Sequence, residues 1–216
     1  MKVALDIGHL YKRSQPTDKG AFYKGVYEAS FVYDYVRKAY ELLSKETGIE
    51  VYRSNPVDGI LVGDYWERRK WVNERFSKDD IYLQCHLNAG NGNYALVMCV
   101  LGFDVDNERQ RVIISDELTE KERLYGQILA LNTQKYLGLQ VRDFDEVKDL
   151  IWDIKKGQRG YDIVKQFKCP AFVYEPCFID NPLHFELLRS GTWIEAIAKA
   201  IWKSCIEIRD KVSYND

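Results

Sequence analysis

The order of apolar patterns along the chain constrains its fold more than any other sequence feature. Near the N-terminus, Val3, Leu5 and Ile7 stand at alternate positions, a spacing that predicts a strand. Residues 25–45 instead repeat apolar side chains at steps of three and four, which predicts an amphipathic helix with Glu28 in its first turn. Alternation of strands and helices is typical of a mainly parallel sheet. The pattern therefore predicts an α/β fold in which helices flank a twisted, mixed but mainly parallel sheet on both faces.

The same alternation continues to the end of the chain. Further strands are predicted at 50–52, 81–85, 94–101 and 171–174, and further helices at 65–76, 119–138, 147–154, from 182 onward and at 192–212. Two of these helices have start signals. Thr119 and Glu122 have the spacing of a capping box, and Asn181 followed by Pro182 combines an N-cap residue with the proline favoured at the first helical position.

Composition narrows the classes of partner. With 31 basic and 33 acidic residues among 216, the formal net charge is -2, so no global field attracts the chain to nucleic acid or to an anionic membrane.

The first apolar run is short and broken by Asp6, which fits neither a signal peptide nor a spanning helix. We therefore expect synthesis in the cytoplasm, one domain over residues 1–216 and a monomer as the default. The five scattered cysteines form no C-x-x-C pair and are expected to be reduced thiols.

Titratable side chains occur where predicted strands end. His9 and His86 each follow a strand-like run, and Glu175 ends a third. In a parallel sheet these positions share the carboxyl edge, where ligands bind, and Glu28 at the start of the first helix can return to that edge. Two imidazoles and one carboxylate suit Zn2+, because three protein ligands leave the fourth tetrahedral position open for water.

Each of these residues also has a plainer interpretation. A histidine after a strand is more often a hydrogen-bonded loop residue than a ligand, and a glutamate in a first helical turn is favoured by the helix dipole. Glu28 and His86 lie 19 and 77 residues after His9, which matches no short zinc signature. The third histidine, His184, is expected on the surface of a helix.

Four sequence blocks in a fixed order add specificity. They are LDIGH (5–9), GA followed by G and E (20–28), HLNA (86–89) and PAFVYEPCFIDN (170–181), with Arg53 and either Arg68 or Arg69 between the second and third. Together the blocks resemble the zinc-dependent N-acetylmuramoyl-L-alanine amidases of the amidase_3 type, which occur in bacterial cell-wall remodelling and in phage endolysins. The resemblance covers nearly the whole chain and is weakest between residues 102 and 157.

The resemblance implies a role for each candidate residue. It implies that His9, Glu28 and His86 bind one zinc ion and that Glu175 is the catalytic acid and base. The implied substrate is the amide between N-acetylmuramic acid and L-alanine in peptidoglycan. Because neither a signal peptide nor a separate wall-binding domain is recognised, we expect the wall to be reached after release as in phage lysis, or by a host enzyme exported another way. Three positions depart from the family pattern: Leu10 after the first ligand, Gln84-Cys85 before the third, and Pro176-Cys177 after the glutamate.

Two other functions remain open at this point. The chain could be a catalytically silent module that keeps the amidase fold and only binds peptidoglycan. It could also be a zinc peptidase that cuts within the stem peptide. The complete ligand set argues against the silent module, and neither nucleic acid nor a membrane is expected as a partner.

Overall fold

The computed structural model describes residues 1–101, 116–142 and 150–213 of the chain. Strands and helices alternate along this described part. The strands are β1 (Lys2–Ile7), β2 (Phe22–Tyr23), β3 (Val26–Tyr27), β4 (Glu50–Arg53), β5 (Ile81–Cys85), β6 (Leu96–Cys99), β7 (Trp152–Asp153) and β8 (Ala171–Glu175). The helices are α1 (Glu28–Leu43), α2 (Tyr65–Asn73), α3 (Asp116–Leu137), α4 (Tyr161–Val164), α5 (Pro182–Arg189) and α6 (Thr192–Ser213).

The central sheet has six strands in the order β4-β1-β5-β8-β6-β7. Strands β4, β1, β5 and β8 are parallel, whereas β6 runs antiparallel to β8 and parallel to β7. The register pairs Ile7 with Cys85 and Cys85 with Tyr174, so the carboxyl ends of β1, β5 and β8 lie side by side. The predicted mixed, mainly parallel sheet is confirmed, and it brings the residues after these three strands to one edge.

Helices cover both faces of the sheet, as predicted. Alternate residues of β1 point to opposite faces. Leu5 packs in a core with side chains of α1, α3, α5 and α6, whereas Ala4 packs with side chains of α2 and α4. Strands β5 and β8 are buried along their whole length. This double-sided burial explains why their sequences are mainly apolar runs, interrupted only by Gln84 and Glu175, rather than alternating patterns.

Two predictions of local structure are wrong. Trp152 and Asp153 form β7 rather than part of a helix at 147–154, because they pair with Met98 and Cys99 at the edge of the sheet. Short apolar runs do not distinguish a strand from a helix by periodicity alone. Residues 147–149 of that predicted helix lie outside the described part of the chain.

The capping box at Thr119 is also wrong, because α3 already begins at Asp116 and Thr119 lies inside it. Glu122 is buried instead, and burial raises the pKa of its carboxyl to about 9. A capping box does begin α2, where the Asp64 N–H donates to Glu67 Oε2 at 2.8 Å.

The remaining features are the state of the cysteines and the apolar character of the helices. All five cysteines are buried and unpaired, in line with the expectation of reduced thiols. None of the described helices combines the length and the apolar character that crossing a bilayer requires.

Candidate active site

Four polar side chains meet at the carboxyl edge of the parallel strands. His9 lies two residues beyond β1, and His86 directly follows β5. The His86 N–H donates to the Tyr174 carbonyl of β8 at 2.9 Å, and Glu175 is the last residue of that strand. Glu28, the first residue of α1, reaches the same edge. The structure therefore brings together the four residues that the sequence singled out.

A small hairpin formed by β2 and β3, which sequence patterns did not predict, precedes Glu28. The Glu28 N–H donates to the Ala21 carbonyl at 2.7 Å, and the Ala21 N–H donates to Glu28 Oε2 at 3.0 Å. The other carboxylate oxygen, Oε1, accepts a hydrogen bond of 2.9 Å from the Leu87 N–H. Backbone donors from two loops thus fix both oxygens of the Glu28 carboxylate.

His9, Glu28 and His86 form a compact cluster. Their candidate ligand atoms all lie within 4.8 Å of one another. His9 Nε2 lies 3.5 Å from Glu28 Oε2, and His86 Nδ1 lies 3.1 Å from Glu28 Oε1. The two imidazole rings meet edge to face, with centroids 4.7 Å apart and an interplanar angle of 87°. Two imidazoles therefore converge on one carboxylate from different directions.

Two glycines allow this close approach. A Cβ at Gly8 would overlap the ring of His86, and a Cβ at Gly20 would overlap the Glu28 carboxylate. Gly20 also has φ 72°, a left-handed conformation that side chains with a Cβ rarely adopt. The cluster requires residues without side chains at both positions.

Asp18 orients the His9 ring through Nδ1, the nitrogen that does not face Glu28. Asp18 Oδ2 lies 2.9 Å from His9 Nδ1 and accepts a hydrogen bond of 2.7 Å from Lys12 Nζ. Burial alone would raise the pKa of Asp18, but hydrogen bonds from Lys12, the Gly20 N–H and His9 hold it well below its usual range. An ionised Asp18 can only accept, so His9 carries its proton on Nδ1 and presents the Nε2 lone pair to the cluster.

A buried ion pair supports the strand end that carries His9. Arg68 Nη1 lies 2.6 Å from Asp6 Oδ1, and both side chains are fully buried. Arg68 also donates to the carbonyls of Ile7 and Leu10, on either side of His9. Of the two arginines considered from sequence, Arg68 is therefore the one beside the cluster, whereas Arg69 donates to the Lys165 carbonyl.

The protonation of the cluster fits a divalent cation. Burial lowers the pKa of His9, which favours the neutral imidazole that binds metals. Burial would raise the pKa of Glu28, but its hydrogen bond with His86 and the nearby imidazoles bring it below its usual value. A neutral imidazole beside an ionised carboxylate matches the nitrogen and oxygen ligands that zinc takes in proteins.

Glu175 has a different environment from Glu28. Its side chain is 2% exposed, and burial raises the pKa of its carboxyl while the positive charge of Arg159 opposes the rise. Oε1 accepts a hydrogen bond of 2.7 Å from Arg159 Nη2. Oε2 is buried and has no hydrogen-bond partner among the described residues. A buried carboxyl with one unused oxygen is suited to exchanging a proton with a substrate or a water molecule.

Comparison with known protein families gives a match over most of the chain. Residues 3–207 match the Amidase_3 family, described as N-acetylmuramoyl-L-alanine amidase. The chain belongs to this family. A comparison with curated proteins finds no match for the amidase.

Solved structures of other amidases share its fold. An N-acetylmuramoyl-L-alanine amidase from Clostridium difficile 630 superposes with a TM-score of 0.70 at 18% identity, covering 97% of this chain and 96% of that one. Ami1 from Mycobacterium smegmatis gives 0.69 at 17% identity, with coverage of 98% and 97%. The catalytic domain of the CD27L endolysin targeting Clostridium difficile gives 0.62 at 18% identity, with coverage of 96% and 97%.

Arg159 is a site residue of the amidase that the sequence did not reveal. Besides its bond to Glu175, it donates through Nη1 to Asn88 Oδ1 at 3.1 Å. It thereby joins the loop after His86 to the end of β8. Its side chain is 60% exposed and belongs to no recognisable motif, so no sequence signal pointed to it.

The prediction that His184 lies on the surface is wrong. Its side chain is fully buried at the start of α5, between the loop after His86 and the turn after β8. Its Nδ1 accepts a hydrogen bond of 3.1 Å from the Phe178 N–H, and its Nε2 lies 2.8 Å from Asn93 Oδ1. His184 therefore ties together two loops that flank the amidase site, and it is not part of the cluster.

Proposed function

We propose that the chain is a zinc-dependent hydrolase that cleaves the amide between N-acetylmuramic acid and L-alanine in peptidoglycan. In this proposal His9, Glu28 and His86 bind one zinc ion, and Glu175 is the catalytic acid and base. The proposal is carried by the convergence of two imidazoles and an ionised carboxylate within 4.8 Å. Membership of the N-acetylmuramoyl-L-alanine amidase family supports the choice of amide.

Each side chain of the cluster has a defined part in holding the cation. His9 contributes Nε2 because Asp18 occupies its Nδ1. Glu28 contributes a carboxylate whose orientation is fixed by the N–H groups of Ala21 and Leu87. A zinc ion bound by this set would supply a Lewis acid that polarises the scissile carbonyl and makes water acidic near neutral pH.

Glu175 would carry the proton between water and the leaving amine. Burial raises the pKa of its carboxyl above the ordinary value, which makes the carboxylate a stronger base toward water. The Arg159 contact holds Oε1 in place and leaves Oε2 as the oxygen that exchanges the proton. This arrangement separates the proton carrier from the three metal-binding side chains.

The reaction is tested by digesting purified peptidoglycan and analysing the products by mass spectrometry. The amidase proposal expects release of intact stem peptides that begin with alanine. Cleavage within the stem would instead show a peptidase, and absence of release would show a silent binding module. Either of these outcomes contradicts the proposal.

The metal is tested by elemental analysis of the purified protein and of two variants. We expect one zinc ion per chain in the wild type and its loss in His86→Ala. His184→Asn is the matched control, because it removes a buried histidine outside the cluster and should retain zinc. Stoichiometric zinc in His86→Ala would refute the assigned ligand.

Glu175→Gln tests the proton carrier. The variant keeps the shape of the side chain and should keep zinc, while turnover falls about 100- to 10,000-fold, the usual contribution of general acid–base catalysis. Turnover like that of the wild type would remove Glu175 from the mechanism.

We also propose peptidoglycan of the cell wall as the partner, with phage lysis as one setting for its action. Lysis of whole cells by added protein, compared with Glu175→Gln, measures access to the intact wall.

A further inference from the structure

Gln84 lies beneath the proposed metal-binding cluster and forms part of no step of the proposed reaction. It is the fourth residue of β5 and is fully buried, two residues before His86. Its Oε1 lies 3.2 Å from His86 Nε2, and its Nε2 donates to Asp6 Oδ2 at 3.2 Å. The carboxamide therefore connects a candidate metal ligand to the buried Asp6–Arg68 ion pair.

The surroundings of Asp6 fix the orientation of this carboxamide. Asp6 Oδ1 accepts hydrogen bonds from Arg68 Nη1 at 2.6 Å and from Ser54 Oγ at 2.8 Å, and Oδ2 accepts one from the Tyr82 hydroxyl. A carboxylate paired with a guanidinium offers only acceptors. Gln84 must therefore turn its amide NH2 group toward Asp6 and its carbonyl oxygen toward His86.

The position of Gln84 in turn decides which nitrogen of His86 faces Glu28. The Gln84 oxygen lies at hydrogen-bond distance from Nε2 of the imidazole and can only accept a hydrogen bond from it. Nδ1 of the same ring faces Glu28 Oε1 at 3.1 Å. A cation held by Glu28 would therefore meet Nδ1, and with Nδ1 bound to the cation the proton of the neutral ring lies on Nε2, where Gln84 accepts its hydrogen bond.

We propose that Gln84 is a positioning residue that selects His86 Nδ1 as the metal-binding atom. The inference rests on the proposed zinc site and goes beyond it, since it assigns the donor atom and the residue that sets it. Hydrogen bonds from a ligating histidine to a buried acceptor orient its ring, and their loss typically lowers metal affinity about 10- to 100-fold.

The first test compares the zinc dissociation constants of Gln84→Met and Tyr82→Phe with that of the wild type, by competition with a chelating dye. Methionine keeps the length of the side chain but cannot accept from His86 in the same way. We expect about 10- to 100-fold weaker binding in Gln84→Met. Tyr82→Phe removes another hydrogen bond to the same Asp6 oxygen without touching His86, and its affinity should stay within about twofold of the wild type.

The second test needs no variant. Long-range proton–nitrogen correlation spectra of the zinc-loaded wild type report which imidazole nitrogen of His86 carries the proton. We expect the proton on Nε2. A proton on Nδ1 would overturn the inference, even if Gln84→Met failed to fold.

The outcomes separate this inference from the proposed function. Wild-type protein that binds no zinc would refute the zinc site itself. Wild-type protein that binds zinc and releases stem peptides, together with unchanged affinity in Gln84→Met, would refute only the role of Gln84. Equal losses in Gln84→Met and Tyr82→Phe would also refute it, because they would show a general effect of the Asp6 network.

Discussion

Burial of His184 should make the stability of the protein sensitive to pH. The side chain is fully buried, and burial lowers the pKa of its imidazole to about 4, although the negative charge of Asp180 acts in the opposite direction. The Phe178 N–H donates to Nδ1, so protonation of that nitrogen would break the hydrogen bond. The folded protein therefore favours neutral His184.

The sign and size of the change in stability follow from the pKa values of His184 in the folded and the unfolded chain. In the unfolded chain a histidine titrates near its ordinary pKa of about 6.5. Between the two values the unfolded state binds more protons than the folded state, so the free energy of unfolding decreases as the pH falls through this window. From about pH 7.5 to about pH 4.5, this single histidine should remove about 2.5 kcal/mol of stability.

The assay is urea unfolding at both pH values, with a chelator present so that zinc binding does not contribute. Carboxylates also titrate in this range, so the matched control is His184→Asn, which cannot take up a proton. Asparagine can offer an oxygen near the place of Nδ1, but the variant should be less stable than the wild type at neutral pH because ring volume is lost. From about pH 7.5 to about pH 4.5, the stability of the variant should nevertheless fall by about 2.5 kcal/mol less than that of the wild type. Equal acid-induced losses in the two proteins would refute the reasoning.

Three further substitutions test other parts of the structure. Gly8→Ala adds a methyl group that would overlap the His86 ring. Zinc affinity, measured by dye competition, should therefore fall strongly, and unchanged affinity would mean that the ring can move aside. Arg159→Gln removes the cation that lowers the pKa of Glu175, so the acid limb of the pH profile of kcat/KM should move to higher pH, and Arg159→Lys should move it less. No movement in either variant would argue against Glu175 as the titrating base. Arg68→Met leaves Asp6 buried without its counter-charge. The free energy of unfolding, measured in urea, should fall by about 3 to 5 kcal/mol. A negligible change would show that water reaches and solvates Asp6 in the variant.

Much of the architecture follows from local patterns in the chain. The alternating apolar residues of β1 and the helical spacing over α1 and α6 predict these elements correctly, because burial of one face imposes its period on the sequence. The order of strands and helices also predicts the parallel sheet. Once β1, β5 and β8 are parallel neighbours, His9, His86 and Glu175 must share its carboxyl edge. Their common edge is therefore a consequence of the parallel sheet that the sequence predicts, whereas the adjacency of the three strands is seen only in the fold.

Other features depend on packing between residues far apart in the chain. Whether residues 152 and 153 form a strand depends on the open edge of β6, and the burial of His184 depends on loops from two other elements. The Gln84–Asp6 bond spans 78 positions, and the Arg159–Glu175 contact brings an arginine from a segment without a motif to the site. Hydrophobic periods record which face of an element is buried, but they do not record which polar groups meet across a sheet edge. These polar contacts can be identified only in the folded chain, because they depend on strand register and on the need of each buried polar atom for a hydrogen-bond partner.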